Sequence, residues 1–92
     1  MPPLSPTDRP HLRRGVRTAI DPLSDETVLL FPEGVLTMNE TAAAVVLQCN
    51  GARSVAEVVQ AVREVYDDVE VGDVTALLEE LIVQNLLMAG DG

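Results

Sequence analysis

The spacing of apolar residues in this 92-residue chain changes once, near residue 39. Before that point, apolar residues come in short runs separated by tight turns, a pattern that favours β-strands. After it, they recur at intervals of three and four residues, a pattern that favours α-helices. A chain of this length forms one domain. The sequence therefore predicts a single α+β domain in which a small sheet precedes a group of helices.

Three short strands are predicted between residues 11 and 38. Val16–Ile20 alternates apolar and polar side chains, and residues 27–31, TVLLF, form an apolar run suited to a central strand. Residues 35–38, VLTM, return as a third strand after the short connection at residues 32–34. Connections this short join antiparallel neighbours, so the third strand lies at an edge with unpaired backbone groups.

Three helices are predicted between residues 39 and 84. The first covers residues 41–48 after the N-cap Asn39, and the third covers residues 71–84. The second begins at Ser54, which forms a capping box with Glu57. Its apolar stripe is formed by Val55, Val58, Val59, Val62 and Tyr66. A three-stranded antiparallel sheet followed by a three-helix bundle is typical of a winged-helix-like domain, and Leu86–Ala89 is expected to add a final strand or cap.

The first ten residues, MPPLSPTDRP, contain four prolines and little to bury. This composition predicts a flexible N-terminal tail at residues 1–10, followed by one domain at residues 11–92. The N-terminus has no apolar signal segment, and no run of residues is long and apolar enough to span a membrane. We therefore expect a cytoplasmic protein with no membrane partner.

The chain contains few groups that could perform catalysis. His11 is its only histidine and Cys49 its only cysteine, so neither a disulfide nor a zinc site is expected. The acidic residues between 67 and 73 lack the spacing of a calcium-binding loop. The sequence predicts a non-catalytic protein with no metal and no cofactor.

The distribution of charge argues against a nucleic-acid partner. Four of the six basic residues lie in the first seventeen positions, whereas fourteen of the fifteen acidic residues lie from Asp21 onward. A winged-helix protein commonly contacts DNA through its third helix, but residues 71–84 contain Glu79 and Glu80 and no Lys or Arg. Phosphate contacts supply most of the affinity for DNA, so this helix has the wrong charge.

A peptide partner agrees better with these patterns. An extended peptide can add to an exposed strand edge, with backbone hydrogen bonds giving affinity and side-chain contacts giving selectivity. The predicted third strand and the third helix could provide such a site. The alternative from the pattern alone is that the acidic face of the helix is simply solvated.

The segment from Val28 to Ala44, VLLFPEGVLTMNETAAA, resembles the PqqD family of pyrroloquinoline quinone biosynthesis. Further resemblance lies at Arg9-Pro10, Arg13–Arg17, Cys49-Asn50-Gly51, Arg53–Glu57, Tyr66, Asp73-Val74, Leu77-Leu78 and Leu81. The chain departs from the family at Asn50, where Asp is commoner. Because Asn caps a helix nearly as well as Asp, this departure does not weaken the functional expectation.

The resemblance implies a precursor-peptide recognition domain with three strands and three helices. Members of the family bind the small peptide PqqA as an added strand, between the third strand and the third helix. They also associate with PqqE, a radical S-adenosylmethionine enzyme that cross-links a Glu and a Tyr of that peptide. Related recognition domains of mycofactocin and lasso-peptide pathways are the alternative, and an acidic DNA-binding protein is a more distant one.

Transferred by position, the resemblance also implies which residues contact the peptide. The pairing strand would consist of Val35, Leu36, Thr37 and Met38. The third helix would border the groove with Asp73, Leu78, Glu79 and Ile82. Leu77 and Glu80 are the competing choice, because the sequence does not fix which side of the helix faces the strand. A monomer or a weak dimer is expected.

Overall fold

A computed structural model of the chain describes residues 4–90, and these contain three helices and five short strands. In chain order the elements are β1 (His11–Leu12), β2 (Arg17–Ile20), β3 (Thr27–Phe31), β4 (Gly34–Thr37), α1 (Glu40–Leu47), α2 (Val55–Val65), α3 (Val71–Val83) and β5 (Leu87–Met88). The prediction of an α+β domain with three helices and antiparallel strands is confirmed. None of the described helices is long and apolar enough to cross a membrane.

Strand β3 is the centre of a three-stranded antiparallel sheet, with β2 on one side and β4 on the other. Leu29 of β3 lies opposite Thr18 of β2 and Leu36 of β4. Leu29 has no exposed surface and belongs to the core cluster, so this face of the sheet points toward the helices. Within residues 4–90, β2 and β4 each pair only with β3, which leaves each with one free edge.

The core lies between this sheet and the three helices. At the start of α2 the predicted capping box is present, because Ser54 Oγ accepts the Glu57 N–H at 3.2 Å and Glu57 Oε1 accepts the Ser54 N–H at 2.9 Å. The predicted apolar stripe of α2 is buried except for Tyr66, which caps the helix and is half-buried. The buried residues of α2 and α3 are Val55, Val58, Val59, Val62, Val74, Leu78 and Leu81.

Residues 4–10 lie against α2, and we refer to them as the N-terminal arm. The carbonyls of Pro6 and Asp8 accept the N–H groups of Ala56 and Val55 at 3.1 and 2.8 Å. These donors belong to the first turn of α2 and have no acceptor within the helix. The arm therefore completes the capping of α2.

This arrangement differs from the predicted flexible tail at residues 1–10. Residues 1–3 lie outside the described residues, but the arm is packed and its Pro10 is buried. A side chain at Gly90 would collide with the Arg9 carbonyl, so the arm is also in close contact with the C-terminal segment. Backbone hydrogen bonds to a distant helix leave no periodic pattern, and proline-rich composition alone therefore suggested a tail.

The two ends of the described chain are joined by a second, two-stranded sheet. Strand β1 pairs with β5 in antiparallel register, with His11 opposite Met88 and Leu12 opposite Leu87. The sequence predicted a final strand or cap in this region but did not predict its partner β1. The pairing fixes the C-terminal end of α3 close to the beginning of the first sheet.

Candidate functional site

The free edge of β4 offers unpaired backbone groups at alternate residues. In an antiparallel pair, successive residues direct their N–H and C=O groups toward the partner strand and then away from it. The Met38 N–H donates to the Thr27 carbonyl of β3 at 3.0 Å. By alternation Leu36 also faces β3, whereas Val35 and Thr37 direct their N–H and C=O groups outward.

The side chains of β4 follow the same alternation. Met38 is 6% exposed and Leu36 is half-buried against the core, so these two residues anchor the strand. Val35 is 61% exposed and Thr37 is exposed, on the opposite face of the sheet. Strand β4 therefore packs against the core through one face, while its outer edge has no paired strand among the described residues.

Two sets of contacts hold α3 alongside this edge. The Tyr66 hydroxyl, which precedes α3, donates to Glu40 Oε1 at 2.8 Å just after β4 ends. The Arg13 N–H donates to the Leu86 carbonyl at 3.0 Å, and Arg13 Nη2 lies 3.7 Å from Glu33 Oε1 in the turn before β4. The segment before α3 thus lies near the segment that follows β4, and the segment after α3 lies near the turn that precedes β4.

These contacts connect the segments that flank α3 with those that flank β4, and the two elements do not pack extensively against each other. We call the space between them the β4–α3 groove. The 13 residues of α3 extend over about 20 Å. The 4 residues of β4 extend over about 13 Å. The edge of β4 is therefore long enough to pair with one additional short strand.

One flank of α3 is already occupied by the N-terminal arm. The Leu4 N–H donates to Glu79 Oε2 at 3.3 Å. Leu4 also lines a small apolar cleft with Val71 and Thr75 of α3 and with residues of α2. An α-helix has 3.6 residues per turn, so the opposite flank of the buried stripe consists of Asp73, Leu77 and Glu80.

The structure distributes the predicted α3 residues over different environments. Leu78 has no exposed surface and belongs to the core. Glu79 faces the arm, and Ile82 is half-buried against the core on the same flank. Asp73 is exposed, and its carboxylate also accepts the Glu70 N–H at 3.3 Å, which caps α3. The surroundings of these four residues do not test whether they contact a peptide. Their binding roles therefore stay predictions.

Two titratable groups of the domain have raised pKa values. The hydrogen bond to Glu40 raises the pKa of Tyr66, so the hydroxyl remains protonated and keeps donating at neutral pH. Burial raises the pKa of Cys49 to about 12, and its thiol donates to the Val45 carbonyl at 3.2 Å. Such a thiol is a poor nucleophile. Within residues 4–90, no three His, Cys, Asp or Glu side chains are grouped as a metal site would require.

Sequence reasoning did not identify the residues that align the groove. Tyr66 was predicted as the last member of the α2 stripe, and Glu40 and Arg13 carried no functional prediction. Their roles depend on contacts between residues that are distant in the sequence, such as Tyr66 with Glu40, which are 26 positions apart. A tyrosine that follows the valine stripe of α2 is a local signal of this kind.

Comparisons with known proteins agree on one family. The model of coenzyme PQQ synthesis protein D (PqqD) matches residues 26–87. A PqqA binding protein of Azotobacter vinelandii is 47% identical over 57 residues, which represent 62% of this chain and 62% of that protein. A second PqqA binding protein, from Rhodopseudomonas palustris strain TIE-1, is 39% identical over 87 residues, covering 91% of this chain and 85% of that protein.

A solved structure extends this similarity to three dimensions. It is the solution NMR structure of the PqqD truncation of Methylobacterium extorquens PqqCD. That protein is described as a functional, stand-alone recognition element for ribosomally synthesised and post-translationally modified peptides. The TM-score is 0.72 at 29% sequence identity, and the match covers 92% of this chain and 94% of that chain.

Proposed function

The chain belongs to the PqqD family, and we propose that it is a non-catalytic chaperone for the precursor peptide PqqA. In this role it binds PqqA and presents it to the radical S-adenosylmethionine enzyme PqqE. Support for the peptide partner comes from the relatives, which are PqqA binding proteins, and from the similar recognition-element structure. A cytoplasmic location and a fold of the winged-helix type, with the β3–β4 hairpin and α3 flanking the groove, are parts of the same proposal.

The observation that carries this proposal is the open edge of β4 beside α3. The N–H and C=O groups of Val35 and Thr37 point outward, and the segments that flank α3 are held near those that flank β4. A peptide in extended conformation would pair with these groups and would place alternate side chains against α3. In the bound state Leu36 and Met38 keep the strand attached to the core.

The α3 flank that faces the peptide is, in this proposal, the one formed by Asp73, Leu77 and Glu80. The support is that the other flank, which includes Glu79, is covered by the N-terminal arm. Leu77 is half-buried and supplies apolar contact, and Asp73 and Glu80 supply negative charge at the rim. Leu78 supports this surface from beneath, and Glu79 and Ile82 position the arm and the helix.

Proline substitution tests the strand pairing directly. Thr37→Pro removes an outward N–H and fixes φ, whereas Thr37→Ala leaves the backbone donor in place. Loss of a hydrogen bond and of strand geometry should weaken binding of the Azotobacter vinelandii PqqA peptide about tenfold or more. Isothermal titration should show this loss for the proline variant and a change below about twofold for the alanine variant. Circular dichroism must first establish that Thr37→Pro is folded.

Amide chemical shifts locate the peptide independently of substitution. Isotope-labelled protein titrated with PqqA should show its largest changes at residues 35–38 and along one flank of α3. Leu77→Ala should weaken binding more than Ile82→Ala, because these two half-buried residues lie on opposite flanks of the same helix. Shifts confined to residues 9–17 would instead indicate an electrostatic tether to the arginine-rich segment, and the strand-pairing proposal would be abandoned.

A further inference from the structure

The sheet has a second free edge, on β2, with the same arrangement of outward groups. The Asp21 N–H donates to the Glu26 carbonyl at 2.8 Å, which makes these two residues a hydrogen-bonded pair. By alternation along the β2–β3 register, Thr18 and Ile20 direct their N–H and C=O groups away from β3. The β2 edge is thus the counterpart of the β4 edge on the other side of β3.

Helix α1 lies beneath the β2 edge, as α3 lies beside the β4 edge. Thr18 and Leu47 of α1 share a cleft of about 420 Å³. Leu47 also lines a neighbouring cleft of about 630 Å³, together with Ala44 and the segment that follows the β2–β3 turn. Because Leu47 belongs to both clefts, they adjoin each other, and we call them together the β2–α1 groove.

Two large apolar side chains at this groove are exposed to solvent. Ile20 is 59% exposed and Leu47 is 58% exposed. Ile20 lies opposite Thr27, which lines the larger cleft together with Leu47, so the Ile20 side chain lies on the same face of the sheet, beside that cleft. Exposed apolar residues grouped at a concave site mark a contact surface for another molecule.

The charge around the groove indicates the chemistry of that molecule. Asp25, Glu26 and Glu40 are exposed at the rim of the larger cleft. Neither cleft has a Lys or Arg among the described residues that line it. A partner segment that combines apolar side chains with Lys or Arg would be complementary to this groove.

The β2–α1 groove also adjoins the end of the β4–α3 groove. Met38, which ends the predicted pairing strand, lines the larger cleft, and so does Tyr66. A partner bound at β2–α1 would therefore lie next to one end of a peptide bound at β4. The two sites remain separate because β3 lies between the two edges.

We propose that the β2–α1 groove is the docking surface for the modifying enzyme. The enzyme contributes an extended segment with apolar and basic side chains, which pairs with the β2 edge over Leu47. This inference rests on the proposed function, since it assumes that a peptide occupies the β4 edge. The enzyme and the peptide then bind at the same time, on opposite edges of one sheet.

Two variants on the β2–α1 groove test the proposal, with PqqE and PqqA as the probes. Thr18→Pro removes an outward N–H without removing a bond to β3, and Leu47→Asp places a charge on an exposed apolar residue. Each should weaken PqqE binding about tenfold or more, while the dissociation constant for PqqA changes less than about twofold. Thr37→Pro is the matched control, because it should weaken PqqA binding and leave PqqE binding of the peptide-free protein unchanged.

Charge reversal provides a readout that does not depend on folding of the proline variant. Asp25→Lys combined with Glu26→Lys should weaken PqqE binding and reduce its dependence on salt. Unchanged PqqE affinity in Leu47→Asp and in the lysine variant would overturn the docking proposal. A dimer of this chain that Leu47→Asp dissociates, with PqqE affinity intact, would assign the groove to a second copy and also overturn it. Failure of the wild-type protein to bind PqqA would instead refute the proposed function.

Discussion

Helix α2 and the two outer strands of the sheet differ in how many of their backbone N–H and C=O groups have hydrogen-bond partners among the described residues. The buried stripe of α2 ranges from 0% exposure at Val58 to 7% at Val59. Its first N–H groups are bound by Ser54 and by carbonyls of the N-terminal arm. In β2 and β4, by contrast, every second residue directs its backbone groups away from the sheet. The first N–H groups of α2 are thus hydrogen-bonded within this chain, whereas the outward backbone groups of β2 and β4 would be hydrogen-bonded only by a partner strand.

This difference indicates where substitutions should affect stability and where they should affect binding. A change in the α2 stripe removes contacts that exist in the free protein. A change in an outward backbone group of β4 removes a contact that exists only in a complex. A substitution in the α2 stripe should therefore lower stability, whereas a substitution of an outward residue in β4 should lower peptide affinity. Each prediction below tests this separation.

The largest effect is expected for Val62→Asp in α2. Val62 is 2% exposed, so the substitution buries a carboxylate with no partner, and we expect the cooperative thermal transition to be lost. Val62→Ala should retain the fold and lower the free energy of unfolding by roughly 1–3 kcal/mol. Val65→Asp, on the same helix at a residue that is 74% exposed, should melt almost like the wild type. Circular dichroism on all three variants makes the comparison, and a normal transition for Val62→Asp would disprove the buried stripe.

A smaller effect is expected from proline substitution at neighbouring residues of β4. Leu36 faces β3, so Leu36→Pro removes a sheet hydrogen bond and should cost about 2 kcal/mol or more beyond the loss in Leu36→Ala. Thr37→Pro removes an N–H that has no partner in β3 and should cost much less. Urea denaturation compares the two variants. Equal destabilisation would show that the alternation of bonded and free residues in β4 is wrong.

The α2 region could be predicted almost completely from the sequence. Its valines recur at helical spacing, and the capping box is a local pattern of Ser54 and Glu57. Strand β3 could be predicted equally well, because a run of apolar residues between turns indicates a central strand. These features depend on neighbours within a few residues, which a single sequence displays directly.

The candidate site was harder to predict from the sequence, because its geometry depends on contacts between residues that are distant in the chain. The sequence predicted that β4 is an edge, but it did not predict which residues face outward, since this follows from the hydrogen bond between Met38 and Thr27. It also left both flanks of α3 open. The contact of Leu4 with Glu79, which separates the flanks, joins residues 75 positions apart. A proline-rich N-terminus gives no local indication of such packing.

Ser54→Ala should produce a smaller loss, because it removes one of the groups that complete α2. The variant loses the acceptor for the Glu57 N–H, and we expect the free energy of unfolding to fall by about 1 kcal/mol. PqqA binding should be unchanged, since Ser54 is remote from the β4 edge in the proposed complex. Ser24→Ala is the control for loss of a serine acceptor outside α2, because Ser24 Oγ accepts the Glu26 N–H at 3.3 Å in an exposed turn. A loss of PqqA affinity in Ser54→Ala greater than that in Thr37→Pro would contradict the separation of the two regions.

The smallest expected effect concerns the other half of the capping box and depends on pH. The Glu57 carboxylate has a lowered pKa because it accepts the Ser54 N–H and interacts with the Ser54 side chain. A lowered pKa in the folded state stabilises the protein above the ordinary pKa of Glu, and this contribution is lost as the pH falls through the lowered value. Glu57→Gln keeps an oxygen acceptor but cannot titrate, so it should melt slightly below the wild type at neutral pH. The difference should vanish on acidification, because the protonated wild-type side chain then resembles Gln. Glu64→Gln, at the other end of α2, controls for the loss of one negative charge. A difference for Glu57→Gln that stayed constant with pH would show that the carboxylate contributes nothing to the cap by its charge.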